Sequence, residues 1–368
     1  MTKSSFRIAV LPGDDAAPEA VHATLEVLRS MELPVEWVVL PDGEELAQST
    51  SRKEREQLIR ETADSCDTLL FGATNGLTGG IGYLRWGKGT FANVRPIRWR
   101  PGFASPLREP EGIDYIIVRE NIEDLYMGLE GDLSALVESG LDVSAQGGVR
   151  ALGDTRFRTG IDSATEGKYA LKVITRKNTE RAARFACDLA RRRKERGHAG
   201  KVTCSAKYNV LWQSDGFFRQ TVEAVVRQES DLSYEEFIVD DFARRLVASP
   251  QELDVVVMPN LYGDVLADEG AATIGGLGLA PSGCYGHDYA YFEPVHGTAP
   301  DIAGQHRINP TATMLSAVMM LEYLGFEEAA QRLDRAVEET YAARDHLTPD
   351  QGGAATSDEF ARAVQDRL

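Results

Sequence analysis

Cysteine is scarce: the chain has four in 368 residues (Cys66, Cys187, Cys204 and Cys284), with no C-x-x-C pair. That spacing excludes a zinc knuckle and a disulfide framework, and points to buried free thiols in a reducing compartment. Basic charge is also short, with 40 Lys and Arg against 57 Asp and Glu and a formal net charge of −17. Nucleic acid and anionic membranes both require a positive surface, so neither partner is expected. A small polyanionic substrate stays open, because a local cationic pocket can form on an acidic protein. No apolar run approaches the length of a membrane span. The start, MTKSSFRIAV, passes into a strand without a signal-peptide core, and a cytoplasmic protein is expected. The dinucleotide fingerprint G-x-G-x-x-G is missing from the first strand, which ends in LPGDDAAPE.

What remains is an ordinary globular balance, 43% hydrophobic and 26% charged, in a length that suits about two domains. Short apolar runs alternate with helical patterns: RIAVLPG then PEAVHATLEVLRS, EWVVL then RKEREQLIRETA, then DTLLFGA. Such alternation predicts a parallel sheet covered on both faces. After the unpatterned TNGLTGGIGYLRWGKG come strands at IDYIIV, YALKVIT, KVTCSA and LDVVVMP, with helices at NTERAARFACDLARRRKE and from about Asn209. Residues 130–160, rich in Gly, Ser and Asp, read as a surface loop or an extended arm able to pair with another chain. The tail from Asn309 is helical, and Met319 and Met320 in it are expected to fill core.

Several groups could carry chemistry. Asp264 and Asp268 stand four apart after the run VVVMP, on one face of a predicted helix. Their repulsion would be relieved by a hard divalent cation with oxygen ligands. Alone, such a pair reads more simply as a solvated helix start, and Asp240 after another apolar run is equally weak by itself. Arg85, Lys88, Arg95, Arg98, Arg100 and Arg119 crowd a short stretch, as capture of a polycarboxylate would require, or as surface balancing of nearby acids would produce. Lys207 follows a strand, where burial could make a base of it. Tyr126 is a proton donor or a packed aromatic. Asp301, in a glycine-punctuated turn, could accept the hydroxyls of an adenosine ribose.

Taken in order, VRENIEDLY, MPNLYGDVLADE, GGLGLAPSG and FEPVHGTAPDIAG resemble the β-decarboxylating dehydrogenases, the isocitrate/isopropylmalate/homoisocitrate dehydrogenase family. The resemblance runs from IAVLPGD to GGAATSDEF. It implies an α/β, two-domain isopropylmalate-dehydrogenase-like fold, non-Rossmann, with the active-site cleft between domains. Residues 1–98 and 253–368 would form the large cofactor-side domain, and 99–252 the small domain with the dimer interface and the arm. It implies Mg²⁺ or Mn²⁺ on Asp264, Asp268 and Asp240, the last from the neighbouring subunit. Arg85, Arg95 and Arg119 would hold the malate carboxylates. Lys207, also from the neighbour, would be the base and Tyr126 the proton donor to the enol. His296, Gly297, Asp301, Ile302 and Asn309 would bind the cofactor. NADP-specific bacterial members carry Lys-Tyr where this chain has Asp301-Ile302, so NAD is expected. Active sites shared in this way imply a homodimer, or a tetramer built from it.

The family usually reads PGDGIGPE where this chain has Asp15, Ala16 and Ala17. Substrate choice in the family lies with the group at C3, read by a segment matching Thr78 to Gly82. By spacing, Ile81 and Gly82 match the leucines of isopropylmalate enzymes, only half an apolar pocket. The serine and asparagine of isocitrate enzymes and the specificity arginine of homoisocitrate enzymes are absent. The expectation is oxidative decarboxylation of an unusual 3-substituted malate, its distal end met by Lys88, Trp86 or backbone N–H groups. The alternatives are isocitrate, homoisocitrate, isopropylmalate or tartrate/D-malate dehydrogenase proper, dehydrogenation without decarboxylation, and a non-catalytic regulatory subunit.

Overall fold

The computed structural model describes residues 5–139 and 164–368, so most of the expected arm lies outside the described residues. The strands are β1 (Phe6–Leu11), β2 (Val35–Val39), β3 (Thr68–Phe71), β4 (Ala92–Arg98), β5 (Asp114–Glu120) and β6 (Glu130–Asp132). They continue as β7 (Lys168–Ala170), β8 (Lys201–Ala206), β9 (Ser233–Ile238), β10 (Val255–Met258), β11 (Pro281–Tyr285) and β12 (Ala290–Pro294). Two compact units emerge: one of Met1–Ile117, Leu246–Glu252 and Leu266–Leu368, the other of Val118–Arg245 and Leu253–Val265. The first unit therefore extends past residue 98, to Ile117. The reason is local: β4 and the first half of β5 belong with it, and the chain leaves it in the middle of β5.

In the first unit the strands run β2-β1-β3-β12-β11-β4. β1 pairs parallel with both β2 and β3, as the alternation predicts. β11 pairs antiparallel with both β12 and β4, so the sheet is mixed and not wholly parallel. The helix Ala17–Ser30 starts with Pro18 in its first turn, where a missing N–H removes nothing, and buries Val21 and Leu25 on Val10. The helix Thr311–Tyr323 is buried at every position from Thr311 to Leu321, so Met319 and Met320 do lie in core. Full burial is why its sequence shows little amphipathic period.

In the second unit β10, β8 and β9 are neighbours and parallel, with Ala206 opposite Ile238 at the strand ends. β6 and β7 form a separate antiparallel pair. YALKVIT supplies only two of the three residues of β7, and the helix expected from about Asn209 begins at Ser214. All four cysteines are buried and none is in a disulfide. Among the described residues no helix is long and apolar enough to cross a membrane.

Candidate active site

In the second unit, β5 delivers Arg119 into a site where its side chain is only 2% exposed. Its Nε donates to Asn260 Oδ1 at 2.7 Å and its Nη1 to Asp264 Oδ1. The hydroxyl of Tyr126 donates to the other oxygen of Asp264, and the Arg119 guanidinium lies 4.6 Å from the centre of the Tyr126 ring. Local geometry makes this possible. The helix Asn260–Ile274 places Asn260 and Asp264 one turn apart. A Cβ on Gly263 would stand 2.7 Å from the Cβ of Arg119, so only glycine lets the helix approach β5 this closely. Tyr126 rides on a short 3₁₀ turn, Asp124–Met127, entered through Asp124 at φ 70° and left through Gly128 at φ 65°.

Lys207 and Asp240 leave the C-terminal ends of β8 and β9, the edge where parallel sheets present functional groups. The Lys207 ammonium bonds Asp240 Oδ1, and that bond holds the Asp240 carboxyl below its usual range. Both side chains stay accessible, 29% and 54% exposed.

Glu120 is buried beside this cluster and accepts the N–H groups of Ile122 (2.9 Å) and Glu123 (3.0 Å). Burial outweighs those bonds and pushes its carboxyl up to about 7, from 4.5. Between those two values the native form holds a proton that the unfolded chain has released, so stability falls as pH rises through the window. Glu120→Gln should remove that slope, gaining on the order of 2–3 kcal/mol over wild type between the two ends. Thermal melts from acid to mildly alkaline pH that stay parallel for the two proteins would refute this.

In the first unit, Arg95 on β4 donates from Nη1 to Asp268 at 3.4 Å and from Nε to Asn93 at 3.0 Å. Arg85 sits in a single π-turn, Tyr83–Gly87, its guanidinium 5.8 Å from the centre of the Trp86 ring. Ile81 packs, partly buried, against the core cluster that holds Ile59 and Leu84. The ring of Trp86 covers Gly82, 3.6 Å from where a Cβ would be. The neighbouring core thus holds one side of Ile81, and Trp86 lies against Gly82. Lys88 is paired close by. Its ammonium lies 2.7 Å from Asp64 and over the Tyr289 ring, and the Tyr83 hydroxyl donates to the same Asp64 oxygen at 2.6 Å.

The departure in PGDDAAPE leaves the loop intact. Asp15 adopts φ 55°, the left-handed region that glycine favours and aspartate tolerates. Its N–H donates to Glu44 at 3.0 Å and its carboxylate accepts the Asn75 amide at 2.9 Å. Asp14, which no local pattern marks, is fully buried and accepts Thr74 Oγ1 (2.5 Å), Asn75 N (2.8 Å), Thr78 N (3.0 Å) and Thr78 Oγ1 (2.5 Å). One carboxylate thus shapes the whole turn that precedes Gly79. The Ala16 N–H donates to Thr298 O at 3.0 Å, tying this loop to the HGTAPDI turn.

A family model described as isocitrate/isopropylmalate dehydrogenase matches residues 7–364. The chain is 42% identical to the 3-isopropylmalate/3-methylmalate dehydrogenase of Methanocaldococcus jannaschii, over 98% of each. It is 38% identical to the isocitrate/homoisocitrate dehydrogenase of Thermus thermophilus, over 99% of each. The solved structure of isocitrate dehydrogenase from Methylococcus capsulatus superposes with a TM-score of 0.81 at 30% identity, covering 98% of this chain and 99% of that one. The chain belongs to the isocitrate/isopropylmalate dehydrogenase family.

It is a β-decarboxylating dehydrogenase, and its residues can be weighed against the groups that family uses. For a divalent cation, the helix Asn260–Ile274 supplies two carboxylates, Asp264 and Asp268, an oxygen-only pair of the kind hard cations take. Among the described residues no group of three acids, cysteines or histidines is placed to hold a metal ion, so this pair is what one chain presents. For a dinucleotide, the HGTAPDI turn offers an observation of its own: His296 Nε2 is buried without a hydrogen-bond partner, and burial lowers the His296 pKa. Asp301 stands exposed beside the partly exposed Ile302, and Gly297 has open space around its Cα. Asn309 is held by its neighbours. Its amide nitrogen bonds Tyr341 and Asp350, both at 3.0 Å, and its oxygen accepts Thr311 N at 3.0 Å, so the side chain is a buried brace. Asn260, which the sequence reading did not single out, belongs with Arg119; its position four before Asp264 on a helix was the available signal.

Proposed function

We propose that this dehydrogenase oxidises and decarboxylates a malate bearing an apolar group at C3, using NAD and Mg²⁺ or Mn²⁺, as a homodimer with shared sites. The observation that carries the reading is the Arg119–Asp264–Tyr126 cluster, which sets a carboxylate-binding cation, a metal-type acid and a phenolic proton donor on one another. Arg85, Arg95 and Arg119 would bind the two malate carboxylates, and guanidinium forks suit them. Lys207, offered by a second copy together with Asp240, takes the proton of the 2-hydroxyl. Tyr126 returns a proton to the enol left after carbon dioxide departs. Asp264, Asp268 and the second copy's Asp240 would hold the cation, which when bound withdraws charge from the C2 oxygen. Asp301 would accept the adenosine ribose hydroxyls of NAD, which would supply the acceptor for the C2 hydride, and would repel the phosphate of NADP.

The apolar substituent is argued from the segment 74–88. Its polar side chains are bonded internally: Thr74 and Thr78 to Asp14, Asn75 to Asp15, Tyr83 and Lys88 to Asp64. The large side chains it exposes are Leu77 (37%) and Trp86 (49%), the latter beside Arg85. An alkyl group can bury against them, whereas the distal carboxylate of isocitrate would find the segment's one lysine already paired. Initial rates with Mn²⁺ should give kcat/KM about tenfold or more higher for 3-alkylmalates than for isocitrate or homoisocitrate, and a comparable preference for NAD over NADP. Faster turnover of isocitrate would end the apolar reading, and preference for NADP would end the role given to Asp301.

A further inference from the structure

Within the second unit, one buried cation joins two segments that carry proposed catalytic residues. The Lys172 ammonium, its side chain 12% exposed, lies 2.6 Å from Asp215 and 3.4 Å from Asp124, both fully buried. It also sits 4.3 Å from the centre of the Tyr262 ring, on the helix that carries Asp264. Each carboxylate uses its other oxygen to fix a backbone turn. Asp215 Oδ2 accepts the N–H of Lys207 at 2.8 Å, setting the turn from which the Lys207 side chain springs. Asp124 Oδ2 accepts the N–H of Leu261 at 2.9 Å, at the start of the helix that carries Asp264. Asp124 is itself the left-handed residue two before Tyr126, and its N–H donates to Val173 O at 2.9 Å, next to Lys172. Without the ammonium, two buried negative charges would face each other with nothing between them, an arrangement that relaxes by moving one or both turns.

We propose that Lys172 is a positioning residue serving two active sites at once, through Asp215 for the Lys207 turn and through Asp124 for the turn and helix that bear Tyr126 and Asp264. The proposal rests on the shared-site reading above, in which Lys207 works in the partner's site and Tyr126 and Asp264 in their own. Lys172 touches neither reacting side chain, so its effect passes through the backbone.

Mixed dimers test it. A chain with Lys207→Met and a chain with Asp264→Asn are each inactive on this reading, but their mixed dimer keeps one intact site. Recovery of activity on mixing establishes that baseline; if none returns, the shared-site reading fails and the two-site role falls with it. Lys172→Met is then placed in one chain or the other. In the Lys207→Met chain it acts on the intact site through Asp124; in the Asp264→Asn chain it acts through Asp215. The expected result is a fall in kcat of about tenfold or more in either placement, with the KM for NAD changed less than about twofold. Lys172→Arg should give a smaller fall in both, and it stands in for methionine if that chain does not fold. A fall in only one placement overturns the two-site role. Normal kcat per folded dimer, with only a lowered melting temperature, shows a structural brace and overturns positioning altogether.

Discussion

Replacing Asp264 by asparagine is expected to lower kcat by about a thousandfold or more while the protein stays folded. Both oxygens of Asp264 are engaged, one by the buried Arg119 and the other by Tyr126. Asparagine keeps the shape and one acceptor but removes the charge that offsets Arg119. A nearly buried guanidinium then loses its counter-charge, and the melting temperature should drop by several degrees. The decisive reading is independent of turnover: calorimetric titration of Mn²⁺ should show affinity weakened at least about tenfold in the variant. Chelator in excess should silence the wild type in the same way, and added Mg²⁺ or Mn²⁺ should restore it. Full activity in chelator, or unchanged Mn²⁺ affinity in Asp264→Asn, would remove the metal role from this helix.

Where the chain writes its fold as a period, the sequence was readable. RIAVL, DTLLF and VVVM are unbroken apolar runs because both faces of those strands are covered, and each became a strand. Asp264 and Asp268 could be placed on one face because they share a helix, and Arg119 at a strand end because IDYIIV precedes it. The antiparallel strands were harder to see. β4 contains Pro96 and two arginines, and β11 is PSGCY, so neither carries the β-branched signature. The network around Asp14 and the Lys172 cluster were illegible for another reason. Their members lie tens of residues apart, and nothing local marks Asp14, Asp124 or Asp215 as buried. The same holds for Asn309 and Ile81: resemblance could assign them to ligands, but only packing shows that one braces Tyr341 and the other joins the core. Asp15 was the reverse case, a local break with the family pattern that the backbone accommodates in the left-handed region.

Lys207→Met should cost as much activity as Asp264→Asn and almost no stability, and that contrast is the reason to make it. The Lys207–Asp240 pair is accessible on both sides, and such exposed ion pairs add little to folding. The turn beneath Lys207 is held by its backbone N–H on Asp215, which methionine retains. The expected result is a kcat lowered by about a thousandfold, an unchanged melting temperature and a KM for NAD within about twofold of wild type. Primary amines added to the variant should recover part of the rate if the missing function is proton removal, and recovery should follow amine basicity. A lysine held only to neutralise Asp240 would behave differently: Lys207→Met would then leave kcat within a few-fold of wild type, and amines would change nothing. Retention of activity would transfer the role of base to water or to another group, and would leave Asp240 as the side chain for which a second chain is required at each site.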